Sequence, residues 1–266
     1  MTKPTAKKVS KAVLKTLSGV STPTITYQLM RLHGLHNTGL RDVMPLDPGL
    51  PAFAGPAFTL RYVPLREDLL DQQYMDHKQN LMTPAIEDCP EGAVFLMESG
   101  GNRDVGLLGG NIVMRLARRG VAAAVTDGAM RDIAEIRDAG MPVCCTNVAS
   151  PASMAGLMLV ELGSPVSVGG VAIFPGDIIV GDNEGVCAIP QHLASKIAKS
   201  GPPQDHMEGW VNDQLSGGAP IKGLYPPDAK ARAAYEASSG KQNTRRRLGN
   251  CPIFAILCQD RTVKPP

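Results

Sequence analysis

A chain of 266 residues with 43% apolar content can bury the core of one large α/β domain, or of one domain with appendages. Its formal charge of only +2 and its aromatic content of 4% weigh against a nucleic-acid or membrane partner, which needs a broad basic field or exposed rings. Charge gathers only at the two ends, in Lys3, Lys7, Lys8, Lys11 and Lys15 and again in Arg245, Arg246 and Arg247, where solvated tails are the simpler reading and RNA contact the alternative.

In chain order, Met1 to about Thr22 reads as a basic helix. Ser21-Thr22-Pro23-Thr24 then supplies a helix start, with proline in the first turn, and Ile25, Leu29, Met30 and Leu32 lie along the helix that follows. Met44 to Pro56 is rich in Pro and Gly and reads as loop. Ala57–Val63 alternates like a strand, and a polar helix is expected around Glu67 to Asn80.

Four β-type segments come next: Ala93–Met97, Val121–Thr126, Met141–Thr146 and Val171–Phe174. Helices are expected between them at Asn111–Arg119 and Arg131–Ala139. Strands alternating with helices across short glycine turns predict parallel βαβ units with both sheet faces covered. A second β-rich stretch runs from Val171–Phe174 through the turn Pro175-Gly176-Asp177 to Ile178–Gly181, then through Asp182-Asn183-Glu184-Gly185 to Val186–Ile189, and both turns read as hairpin-like. A last helix from Gln191 to Ser200 leads into a charged segment holding Glu208. Beyond Ser239 the composition changes abruptly, as a disordered extension or a vector-derived read-through would. The expected division is a basic arm or helix over residues 1–20, an α/β domain over 21–225, and a C-terminal helix with its tail over 226–266.

Six cysteines form no CxxC pair, and Cys144, Cys145 and Cys187 sit in apolar runs that suit buried, reduced thiols. No signal peptide or membrane-length apolar run is visible, so a cytoplasmic protein is expected. The five histidines are scattered, Ser21, Ser99 and Ser150 lack a nucleophile-elbow context, and the methionines, among them Met82, Met97, Met114, Met154 and Met158, read as core filling.

The segment Gly109 to Asp132, GGNIVMRLARRGVAAAVTDGAMRD, carries the chemistry. Gly109-Gly110-Asn111-Ile112 opens a helix, where free amides and the helix dipole attract an anion. A strand follows and ends in Asp127-Gly128-Ala129-Met130-Arg131-Asp132, at the carboxyl end of the sheet where such folds bind ligands. Arg131 offers a planar fork for a carboxylate, and Asp132 can hold Mg²⁺, or Mn²⁺, directly or through water. Together they suit a 2-keto acid whose enolate is stabilised by a metal acting as Lewis acid. The plainer alternative is a helix-opening ion pair beside an ordinary Asp-Gly turn, and the Gly-Gly pair matches neither a GxGxxG fingerprint nor a Walker A loop.

Leu108-Gly109-Gly110, Ala117 to Gly120 and Asp127 to Asp132 resemble the class II 4-hydroxy-4-methyl-2-oxoglutarate aldolases and their relatives, the regulators of ribonuclease activity A. Phe174 to Asp182, running on through Gly185-Val186 to Ile189-Pro190, is a second match. Ser21-Thr22-Pro23 with Gly55-Pro56-Ala57 is a third and weaker one. The resemblance implies an α/β/α layered, swivelling-type domain, homotrimers or paired trimers, and active sites at subunit interfaces. It assigns Arg131 to the substrate carboxylate, Asp132 to Mg²⁺ and Glu208 to a site on the neighbouring subunit. The implied activity is a metal-dependent carbon–carbon lyase releasing pyruvate, with oxaloacetate decarboxylation beside it. A 2-keto-3-deoxy sugar acid dehydratase and a non-catalytic binder of ribonuclease E are the alternatives. One position departs from the pattern: Gly110 stands where the aldolases usually carry Asp or Glu, so Glu98, Asp104 or Asp127 would have to substitute, or the chemistry differs.

Overall fold

The structure, a computed structural model, describes residues 8–69 and 80–245. In chain order its elements are α1 (Lys11–Leu17), α2 (Thr22–His33), β1 (Met44–Pro45), β2 (Phe53–Pro64), α3 (Met82–Asp88), β3 (Val94–Glu98), α4 (Gly110–Arg118), β4 (Ala123–Thr126), β5 (Ala129–Met130), α5 (Ile133–Asp138), β6 (Val143–Cys145) and β7 (Asn147–Val148). There follow β8 (Leu157–Leu162), β9 (Val166–Val168), β10 (Val171–Ile173), β11 (Ile178–Asp182), β12 (Gly185–Ile189), α6 (Ala194–Ser216) and α7 (Ala229–Arg245). The chain divides into two compact units between Asp205 and His206.

The first unit is built on a mixed eight-stranded sheet ordered β1-β6-β4-β3-β2-β11-β12, with β8 also pairing with β2. The expected parallel βαβ core is present in β2, β3, β4 and β6, in a register that sets Met97 opposite Thr126. Their residues are apolar on both faces because both faces are covered. Val171–Ile173, expected to join this core and to pair with Ile178–Gly181, instead pairs antiparallel with β9 in a separate two-stranded sheet. One core gathers Phe95, Met97, Leu108, Val113, Leu116 and Met130 under the crossover helices. On the other side Val94, Leu96, Val125 and Ile179 pack with β9 and β10, and a third cluster packs α1 and α2 onto the β11–β12 hairpin.

That hairpin and the start of α2 are tied together. The Asp182 carboxylate accepts the Thr22 amide at 2.7 Å and the Thr22 hydroxyl at 2.8 Å. Asp205 does the same for Ser21, at 2.8 and 3.0 Å. Free N–H groups at a helix start need such acceptors. Ser21-Thr22-Pro23 and the Gly181-Asp182 turn are therefore parts of one anchoring contact. Asp177 likewise locks its own turn by accepting the Phe174 and Gln191 amides.

Several elements differ from the sequence-based expectation. The Pro- and Gly-rich stretch from Met44 to Pro56 holds β1 and the start of β2 rather than loop alone. Pro45 is tolerated because β1 lies at the sheet edge, where no ladder donor is required. The N-terminal helix begins only at Lys11, capped by Ser10, and the helix expected from Arg131 begins at Ile133, since Ala129–Met130 pairs with Asn147–Val148. Helix α6 does not stop at Ser200 but runs on to Ser216 through Pro202 and Pro203. Beside the prolines, Gln28 braces the helix by donating to the Ser200 carbonyl and to the Gln204 side-chain oxygen. Helix α3 and strands β8 and β9 were not expected at all. The helix expected around Glu67 to Asn80 lies mostly outside the described residues. Met97 and Met158 are core residues as expected, whereas Met114 and Met154 are 36% and 41% exposed.

The second unit packs Val211, Leu224 and Ala231 with Trp210, Leu215 and Ala219 from α6, α7 and the segment between them. Among the described residues, no helix is long and apolar enough to cross a membrane. Among the described residues Cys144, Cys145 and Cys187 are buried and unpaired, as their apolar runs predicted, and so is Cys89, whose local sequence is polar. Cys251 and Cys258 lie outside the described residues.

Candidate active site

Two arms leave the carboxyl ends of the neighbouring strands β3 and β4. The first, residues 99–109, turns at Gly100 and Gly101, whose φ angles of 65° and 76° suit glycine. It ends at Gly109, the N-cap of α4. The second runs from Asp127 through β5 to Arg131 and Asp132. Backbone hydrogen bonds join the two, Leu107 donating to Ala129 at 2.9 Å and Arg131 donating to Leu108 at 3.1 Å. Gly106 lies so close that a Cβ on it would come 2.8 Å from the Arg131 Cβ.

Asp132 is the focus. Its carboxylate accepts the Gly110 amide at 3.3 Å, and the Arg131 Nε lies 3.6 Å from the same Oδ2. A side chain at Gly109 would collide with that oxygen, so only glycine lets the acid reach the α4 N-terminus. Asp132 adopts a left-handed backbone, φ 57° and ψ 52°. Asp tolerates this conformation better than most residues, and such strain gathers at functional sites. The Arg131 and Asp132 side chains are 38% and 43% exposed, open to a small ligand.

Gly109, Gly110, Arg131 and Asp132 are thus brought together. Asn111 is exposed on the first turn of α4, while Ile112 packs against the core and can offer only its backbone. Glu208 lies in the second unit, within α6 rather than after the last helix, because that helix continues past its prolines. The acids considered as substitutes for one at position 110 are placed otherwise. Asp127 is 8% exposed and hydrogen-bonded to Ser99. Glu98 sits 3.7 Å from Arg61, with burial raising its pKa above the usual carboxylate range. Asp104 is exposed in the first arm. A Cβ on Gly110 would fall on the Cβ of Glu135 in α5. The volume of a side chain at position 110 is taken by the stem of Glu135, and α4 and α5 approach through that glycine.

Sequence reasoning passed over Ser99 and Glu135. The signal for Ser99 is the parallel register of β3 and β4, which sets Asp127 beside residues 98 and 99. Spacing within one segment cannot reveal a contact across 28 residues.

The donors suit a hydrated hard cation. Mg²⁺ keeps several waters and takes one or two carboxylates plus substrate oxygens, and Asp132 is a single exposed carboxylate. Among the described residues no group of three or more His, Cys, Asp or Glu gathers, which does not match an all-protein Zn²⁺ site. A cleft of about 390 Å³ lined in part by His36, Asn37, Thr38, Asp177 and Pro190 shares no residue with this site. Charge and directed amides, rather than depth, define the Arg131–Asp132 cradle.

Fold and site define a mixed α/β protein in which a guanidinium and a carboxylate meet at a helix N-terminus. Residues 22–188 match the RraA-like family model, described as Aldolase/RraA, and the chain belongs to that family. It is 30% identical over 165 residues to a putative 4-hydroxy-4-methyl-2-oxoglutarate aldolase of Thermus thermophilus, covering 58% of this chain and 92% of that protein. It is 29% identical over 159 residues to protein DlpA of Legionella pneumophila, covering 60% of this chain but only 25% of that protein's length. Among solved structures, Streptomyces coelicolor RraAS2, described as an unusual member of the RNase ES inhibitor RraA family, superposes with a TM-score of 0.69 at 29% identity, over 77% of this chain and 98% of that one.

Proposed function

We propose that the protein is a divalent-metal-dependent lyase acting on a small 2-keto acid, cleaving it in the retro-aldol sense to release pyruvate and also decarboxylating oxaloacetate. The observation that carries this reading is the convergence of the Gly110 amide and the Arg131 guanidinium on the Asp132 carboxylate. The aldolase named among its relatives supports the same class of chemistry. Arg131 would grip the substrate carboxylate through a two-pronged, charge-assisted contact. The first amides of α4 would add donors where negative charge gathers. Asp132 would hold Mg²⁺ or Mn²⁺, which supplies Lewis acidity toward the keto oxygen when bound. Cleavage breaks the C3–C4 bond, leaves its electron pair on C3, and needs a base for the C4 hydroxyl proton. Glu208 of a neighbouring copy is the base proposed, in a trimer or a pair of trimers in the cytoplasm.

Pyruvate release from oxaloacetate and from 4-hydroxy-4-methyl-2-oxoglutarate tests the reading, in wild type and Asp132→Ala, with Mg²⁺ and with chelator. Turnover that needs both metal and Asp132 supports it. Dehydration of 2-keto-3-deoxy sugar acids in place of both cleavages would favour the hydro-lyase reading, to which Gly110 lends weight. Inactivity throughout, with metal-independent ribonuclease binding, would favour the regulator reading.

A further inference from the structure

The buried pair Ser99 and Asp127 is used by none of the chemistry above. Asp127 Oδ1 accepts two hydrogen bonds from one residue, the Ser99 amide at 2.8 Å and the Ser99 hydroxyl at 2.9 Å. The two residues are 3% and 8% exposed, so water does not compete and the bonds to the charged oxygen are strong. Each residue is the first of its arm. Ser99 begins the arm that ends at the α4 N-terminus, and Asp127 begins the arm that ends at Arg131 and Asp132.

The joint is packed as well as bonded. A Cβ on Gly128 would come 2.7 Å from the Ser99 Oγ and 2.8 Å from its Cβ. Behind it, the Thr146 hydroxyl donates toward the Asp127 and Gly128 carbonyls, at 3.1 and 2.9 Å. The Gly128 amide in turn donates to Thr126 Oγ1 at 2.9 Å. Farther along, the arms are joined by the backbone pairs Leu107–Ala129 and Arg131–Leu108 and, at their far end, by the Asp132 carboxylate on the Gly110 amide. The Ser99–Asp127 contact is therefore the side-chain tie that sets one arm against the other at their roots.

We infer that Ser99 and Asp127 are positioning residues which hold the α4 N-terminal amides and the Arg131 guanidinium at the separation one carboxylate can span. This rests on the keto-acid reading of the site. Both residues are too buried to meet substrate, so they act through the arms. An error of about 1 Å between the two grips weakens binding and turnover by up to roughly 100-fold. Asp132, close along its arm to Arg131, keeps its local geometry when the tie is cut. Loss of the tie should then weaken the carboxylate ligand and spare the cation.

The test compares wild type with Ser99→Ala, Asp127→Ala and Asp127→Asn, the last keeping an acceptor oxygen for both Ser99 donors. The dissociation constant for pyruvate on the Mg²⁺-loaded protein is measured by calorimetry and that for Mn²⁺ by electron paramagnetic resonance. The expected result is a pyruvate constant raised about tenfold in both alanine variants, rescue to within about threefold by Asp127→Asn, and an unchanged Mn²⁺ constant. Should Asp127→Ala not fold, Ser99→Ala carries the same expectation. Unchanged pyruvate binding in the alanine variants overturns the inference. Equal loss of pyruvate and Mn²⁺ binding, in step with loss of folded protein, overturns it too, by making the tie merely structural. Wild type that binds Mn²⁺ but no pyruvate or other keto acid overturns the functional reading itself.

Discussion

The Asp132 carboxylate accepts the Gly110 amide at 3.3 Å, and this one contact joins the end of the second arm to the start of helix α4. Two glycines make it possible. Any side chain at Gly109 would occupy the position of the Asp132 Oδ2, and one at Gly110 would overlap Glu135. Backbone, acid and guanidinium meet only because both positions lack a Cβ.

On the proposed reading, replacing Arg131 with alanine removes the charge-assisted grip on the substrate carboxylate. A hydrogen bond to a charged group contributes about 1.5–3 kcal/mol, so kcat/KM should fall roughly 10- to 100-fold, mostly through KM. Arg131→Lys should recover little, because an ammonium cannot supply the planar fork. Steady-state kinetics on oxaloacetate check both.

Asp132 combines a charge with a left-handed backbone, and two variants separate them. Asp132→Asn keeps a residue at ease in that conformation but loses the charge, so Mn²⁺ affinity should fall at least about tenfold with little change in Tm. Asp132→Ala should show the same metal defect plus a loss of stability on the order of 1 kcal/mol from the positive φ. Metal titration and thermal melts, run side by side, distinguish the two contributions.

Gly110→Ala should destabilise the protein by about 1–3 kcal/mol, because the new methyl overlaps the Glu135 stem in a tight helix–helix contact. Glu135→Gly should recover part of that loss despite its own cost in helix propensity, about 1 kcal/mol. A double-mutant cycle by chemical denaturation would show non-zero coupling between the two sites.

Burial pushes the Cys89 and Cys144 thiols up to about 12 and the Cys145 thiol to about 11. At pH 8 the thiolate fraction of Cys89 and Cys144 is then on the order of 10⁻⁴, and iodoacetamide should leave these cysteines unlabelled in the native state. The same shift fixes the sign of the pH effect. The folded state favours the neutral thiol, so this contribution is intact below the ordinary value of 9 and is lost as pH rises toward about 12. Tm should fall across that window, and peptide mapping after pulse labelling should follow it.

Much of the fold was legible in local pattern. The apolar runs of β3, β4 and β6, the glycine-opened α4 and the Asp-Gly turn each announce themselves within a few residues, because a strand or an amphipathic helix imposes its own period. The Gly109–Asp132 segment also marked Arg131 and Asp132, which the structure brings to the α4 N-terminus. The continuation of α6 through Pro202 and Pro203 was not legible, because the brace from Gln28 comes from a distant helix. Strand β8 was missed because its pairing with β2 depends on long-range closure, and β9 because Gly169-Gly170 was not read as the turn of a tight hairpin with β10.

The sequence by itself determined the βαβ core, the buried thiols and the identity of the charged pair, all of which follow from side-chain chemistry and short-range periodicity. Only the tertiary structure decided what those residues touch. It set Asp132 on the Gly110 amide, filled the volume beside Gly110 with Glu135, tied Thr22 to Asp182, and sealed Asp127 against Ser99. Each of these contacts joins segments well separated along the chain. Their existence depends on strand register and helix approach, which are fixed only when the whole sheet closes over its core.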